Sequence, residues 1–154
     1  MKSTIKKYGL FGGVTGLVIF LSHLAFAKNL SFTTLEILGY ISIFISLSFV
    51  YFGIKHYRDQ VNNGIISFGR AIGVGVLISA LVALGIAIAD FIYTKFLNPN
   101  FFDDYTQMLI DKGRGDEVFE MTSLMGALVM FALVLVIGFM ISLVSGLILQ
   151  RKDK

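Results

Sequence analysis

The chain has 154 residues, 56% of them hydrophobic and only 15% charged, with a mean hydropathy of +0.81. Charged residues supply roughly 25% of a soluble domain, and a core of this length cannot hide so much apolar surface from water, so a lipid solvent is expected. The net charge of +3 comes from basic residues beside apolar runs without a patch of interleaved aromatics, which argues against nucleic acid. The lack of cysteine removes disulfides and thiolate metal sites, and His23 and His56 alone are too few for a multi-histidine centre.

Along the chain, four runs reach the roughly 20 apolar residues that a spanning helix needs. They fall at 8–26, 35–54, 71–93 and 124–149 within one membrane domain covering 1–154. The first follows Lys2, Lys6 and Lys7 and ends Ala25-Phe26-Ala27, which resembles a signal-peptidase site. Its length and its glycine face favour a retained span. The short connection 27–34 makes the first two spans an antiparallel hairpin. Thr33 and Glu36 match a capping box, and Phe32 with Ile37 a hydrophobic staple. The loop 55–70 holds Lys55, His56 and Arg58 and a turn at Asn62-Asn63-Gly64. Pro99, the single proline, lies outside every run, so no span carries a proline kink.

The connection 94–123 is acidic and has its own pattern. Asn98 as cap, Pro99 at the first position and Gly113 after the end predict a helix over 99–112. Phe101, Phe102, Tyr105, Met108 and Leu109 form its apolar face, and Asp103, Asp104, Gln107 and Asp111 its polar face. That is an amphipathic helix lying at the outer interface or over the mouth of the bundle. The polar stretch from Asp116 to Ser123 is expected to extend the fourth spanning helix beyond the membrane.

Orientation follows from lysine and arginine. Lys2, Lys6, Lys7, Lys55, Arg58, Arg70, Arg151, Lys152 and Lys154 fall on one side, and only Lys28, Lys95, Lys112 and Arg114 on the other. The richer side is expected in the cytoplasm, with both termini.

Helices in lipid associate by close approach of small residues. Gly9, Gly12, Gly13 and Gly16 share a face of the first span. Ala71, Gly75, Ser79, Ala83 and Ala87 step by four along the third, and Gly138, Ser142 and Gly146 along the fourth. These faces predict a compact bundle, with contacts either within one chain or to a second copy or another membrane protein.

One pair of polar residues stands out inside the spans. Asp90 lies three residues before the outer end of the third run, on its small-residue face; His23 lies three before the outer end of the first, on the glycine face. Ionisable residues at such depth usually face the bundle, so His23 and Asp90 are predicted to meet as a proton-linked site, or as a structural polar clasp, the alternative being that each side chain reaches interfacial water on its own. No Gly-x-Ser-x-Gly elbow or His-Glu-x-x-His pattern is present. Serines 42, 46, 48, 79, 142 and 145 lie in spans, where they tend to bond back to their own helix. No catalytic, cofactor-binding or metal-ligating residue is therefore assigned, and the chain is expected not to be an enzyme.

The block Phe52-Gly-Ile-Lys-His-Tyr-Arg-Asp59 with Gly64-Ile-Ile-Ser-Phe-Gly-Arg-Ala71 resembles the bacterial domain of unknown function 4199 family. Asn98-Pro-Asn-Phe-Phe102 and the closing Ile141-Ser-Leu-Val-Ser-Gly-Leu-Ile-Leu149 before a basic tail are similar to it as well. The resemblance implies a small four-span protein of the bacterial inner membrane with an intact first span. It carries over no activity and no site residue.

The expected fold is thus all-α, an integral membrane four-helix bundle with an extra amphipathic helix in the outer loop. The leading function is a non-enzymatic assembly or accessory protein without a cofactor, embedded in the lipid bilayer. The alternative is a small oligomeric transporter or channel with a proton-linked site near Asp90 and His23.

Overall fold

The structure, a computed structural model, describes residues 1–26 and 30–151. Ala27 of the cleavage-like sequence and Lys28, Lys152 and Lys154 of the charge count lie outside the described residues. Five helices follow in order: α1 (Lys2–Phe26), α2 (Phe32–His56), α3 (Phe68–Ile92), α4 (Phe101–Asp111) and α5 (Ser123–Leu149). No strand occurs among the described residues. An isolated antiparallel bridge joins Ile66 to Arg151. All but α4 are long and apolar enough to cross a membrane. The fold is an all-α membrane four-helix bundle with a short amphipathic helix in the connection between α3 and α5.

The long helices outrun the apolar runs of the sequence. A 25-residue helix such as α1 spans about 37 Å at 1.5 Å per residue, more than the roughly 30 Å of hydrocarbon. Keeping the chain helical through the interface leaves no backbone group unpaired in lipid. α2 and α3 each finish in a wider π turn, Tyr57–Val61 and Tyr93–Leu97. Each turn is closed by an asparagine backbone N–H, Asn62 on the Tyr57 carbonyl at 3.0 Å and Asn98 on that of Tyr93 at 2.8 Å. Asn63 and Gly64 then take the left-handed backbone of the turn, at φ 53° and 80°.

Four local expectations are corrected. α2 is capped by Ser31, whose hydroxyl accepts from the Thr34 N–H at 3.3 Å; the box of Thr33 and Glu36 does not form. Its staple is also absent, because Phe32 packs on Phe101 and Tyr105 of α4 and Ile37 is exposed. A tertiary aromatic contact thus displaces the local one and starts the helix earlier. α4 begins at Phe101 rather than Pro99, since Asn98 is used to end the π turn of α3. The stretch 116–122 does not extend α5: Arg114 holds Glu117 across a tight turn at Gly115–Glu117. Thr122 then starts α5 by accepting from the Met125 N–H at 3.2 Å.

α3 is the central helix. Of its most apolar stretch 56% is buried, against 22% for α5, because α1, α2 and α5 all pack on it. The small residues set how close they come. Against α1, the backbones of Gly13 and Gly85 touch, so a methyl on Gly85 would collide with the Gly13 carbonyl. Gly9 meets Leu81, Gly12 meets Val82, and Gly16 meets Ile86 and Ser46. Against α5, steps of four up α3 meet steps of four down α5. Ala71 faces Gly146, Gly75 faces Ser142, and Ser79 faces Gly138. Ser79, Ala83 and Ser142 are fully buried there.

The serines complete this dry seam without a partner across it. Ser79 donates to the Gly75 carbonyl at 2.9 Å and Ser142 to that of Gly138 at 2.7 Å, which satisfies each hydroxyl inside its own helix. The faces that the sequence left open between one chain and two are therefore closed within one chain. At the end near the termini, Ile54 and Ile66 are wholly buried. Arg58 there donates to the carbonyl of Leu149, the last residue of α5, at 3.3 Å, and pairs with Asp59 at 2.5 Å. A cation at a helix C-terminus meets free carbonyls and the negative end of the dipole.

Candidate functional site

At the opposite end the helices diverge. α2 and α5 approach through Leu47 and Gly138 in mid-bundle, and beyond that contact a cavity of about 340 Å³ opens between them. α4 covers it. Phe101 packs edge-on against Tyr93 of α3, with ring centroids 5.7 Å apart, and against Phe32 of α2 at 5.8 Å. Leu109 is the buried anchor of its other turn. Gly113, at φ 73°, ends α4 as expected, with the Arg114 N–H bonded back to the Leu109 carbonyl at 2.9 Å.

Asp90 is the acid of this cavity. It is 8% exposed and lines the wall. No donor among the described residues hydrogen-bonds its carboxylate; only its backbone carbonyl is taken, by the Thr94 hydroxyl at 2.9 Å. One carboxylate oxygen lies over Gly126 of α5, where an added methyl would stand 3.4 Å from it. The tip of the Phe102 ring lies over the same glycine, 2.5 Å from that methyl position. Gly126 thus makes room for both the acid and the ring.

His23 does not join Asp90, and this corrects the predicted pair. Its Nδ1 lies 3.2 Å from the Ile19 carbonyl and 3.3 Å from the Ser42 hydroxyl oxygen. Ser42 already donates its proton to the Leu38 carbonyl at 2.7 Å, so Nδ1 carries the hydrogen and shares it between the two oxygens. Nε2 is buried without a hydrogen-bond partner among the described residues. The reason is rotational. Gly16 faces both α2 and α3, touching Ser46 and Ile86, and two turns later His23 points to the α2 side. Asp90, one turn past Ile86, points towards α5. Phe20 lines the cavity with Asp90, and His23 packs on its ring edge-on at 4.9 Å.

The other charged groups on the cavity are Glu36 of α2 and Lys112 and Arg114 beyond α4, all exposed. Arg114 is engaged by Glu117 through two bonds of 2.7 and 2.5 Å. That hydrogen bond holds the Glu117 carboxyl below its ordinary value. No group of three or more His, Asp or Glu residues able to hold a metal occurs among the described residues.

Asp90 and the aromatic face of α4 are legible in the sequence, whereas Glu36 and Gly126 become parts of one cavity only in the fold. A signal for Gly126 was present: the α5 steps of four through Gly138 continue to it, and the matching position on α3 falls beside Asp90. For Glu36, the capping pattern supplied a local role that concealed the tertiary one.

A family model described as a protein of unknown function (DUF4199) matches residues 7–151. No curated protein and no solved structure matches the chain.

Proposed function

The chain belongs to the DUF4199 family, proteins of unknown function, and from that premise we propose that it works without catalysis as an assembly or accessory protein of the bacterial inner membrane. Both termini lie in the cytoplasm and α4 on the outer side, on the strength of the lysine and arginine asymmetry. One observation carries the reading. The small-residue faces of α1 and α5 both pack on α3, and that of α1 on α2 as well, so the bundle is a self-sufficient scaffold, while the flank between α2 and α5 stays open beside the cavity. Tyr40 and Val129 line that opening and are largely exposed. A second copy or another membrane protein therefore docks on this flank rather than on the glycine faces.

A photo-cross-linking residue in place of Tyr40 or Val129 is expected to give a discrete protein adduct in membranes. The same residue at Leu10, exposed on α1 away from the core, is expected to label lipid. Lipid adducts alone from all three positions would overturn the accessory reading.

A small oligomeric transporter with a proton-linked site is the second reading, favoured because the cavity reaches Asp90. Against it, Ile86, Leu47 and the Ser79–Gly138 contact fill the bundle below the acid. On this reading transport would use a path formed between subunits.

A further inference from the structure

We propose that the cavity under α4 is a binding site for a monovalent organic cation, its positive centre against Asp90 and its apolar body against the aromatic lining. A mostly buried carboxylate without a hydrogen-bond donor is unfavourable, because burial penalises its charge and nothing offsets it. Asp90 has no donor among the described residues, yet it opens on a cavity with room for a ligand. A positive group entering from outside satisfies it.

The walls fit that charge. Phe20, Phe32, Tyr40, Phe101, Phe102 and Tyr105 all line the cavity, and ring faces attract cations most strongly where water is excluded. Met108, Met121 and Met130 fill the remaining wall with adaptable, polarisable surface, which suits an apolar body of variable shape. The other facing charges do not cancel Asp90. Glu36 and Lys112 are exposed and of opposite sign, and Arg114 is held by Glu117. A hard metal ion is poorly served, since it needs about six oxygen ligands and no group of three or more His, Asp or Glu occurs among the described residues.

The Phe102 ring and the Asp90 carboxylate both lie over Gly126, so a side chain on Gly126 crowds the cavity beside the acid.

The test uses the full chain in nanodiscs of zwitterionic lipid, with tetraphenylphosphonium as probe and empty nanodiscs subtracted. Tetraphenylborate, of the same shape and opposite charge, is the control. Saturable binding of one phosphonium per chain is expected, with no saturable binding of the borate. Asp90→Asn is expected to weaken the phosphonium by about tenfold or more, as loss of a desolvated charge partner does. Asp90→Glu should keep it within about threefold of the native value, and Gly126→Val should abolish it while leaving the charge in place. If Asp90→Asn does not elute as a folded protein, Gly126→Val and the borate control decide. Equal binding of both probes would show an apolar pocket without charge selection and overturn the proposal. So would native affinity in a folded Asp90→Asn or Gly126→Val protein, or no saturable phosphonium binding. None of these outcomes bears on protein cross-linking at the α2–α5 flank, which is read separately.

Discussion

Glycine positions divide sharply by what surrounds them. Gly85 lies backbone-to-backbone against Gly13, whereas Gly73, on the same helix, has nothing beyond its own stretch of helix within 4 Å of where a methyl would go. Gly85→Ala is therefore expected to destabilise the bundle by roughly 1–3 kcal/mol, the usual cost of overpacking a filled site. Gly73→Ala should be neutral or stabilising by up to about 1 kcal/mol, since alanine is the better helix former. Denaturant titration of both variants in one detergent checks the contrast; equal effects would mean that the α1–α3 approach is looser than described. His23 and Asp90 teach the complementary lesson. Rotation about the helix axis decides whether two residues at matched depth meet, and position along the chain supplies depth alone.

Among the elements, α4 has the weakest hold on the rest. One buried leucine and a chain of ring contacts from Phe32 through Phe101 to Tyr93 keep it over the cavity. α5, by contrast, is fixed by the interlocked small residues of α3 and by Arg58 at its end. Phe101→Ala is expected to release α4 first: amide exchange over 101–111 should quicken by about tenfold or more, as a loss of roughly 1.4 kcal/mol or more of local stability implies. Exchange in the inner half of α5 should stay unchanged. Uniform quickening across all helices would instead make α4 a structural keystone of the bundle. Two features of this element were readable beforehand, its amphipathic face and its glycine stop. Its start was not, because Asn98 had two possible uses and the chain spends it on the end of α3.

For the whole molecule, the design is asymmetric from end to end. The end with the termini is shut by isoleucines, the Arg58 bond to α5 and the Ile66–Arg151 bridge, and the other end is splayed and roofed. The proposed orientation puts the closed end in the cytoplasm. The chain has no cysteine, so single introduced thiols report sidedness without background. Asp104→Cys should react with a membrane-impermeant maleimide on cells whose outer membrane has been made permeable, and Gln60→Cys only after the inner membrane is broken. The reverse pattern would invert the topology and place the cavity on the cytoplasmic side.

By itself the sequence determined the lipid solvent, the helices that can cross it, the amphipathic helix between the last two and the small faces along which they pack. Those properties depend on composition and on a period of 3.6 residues, both of which are local. Only the tertiary structure decided that Gly75 faces Ser142 and Gly138 faces Ser79 within one chain, that His23 turns to Ser42, and that Glu36, Asp90, Phe102 and Gly126 share one cavity. The physical reason is that helix rotation and register are fixed by how side chains from distant segments interlock, and no single helix carries that information.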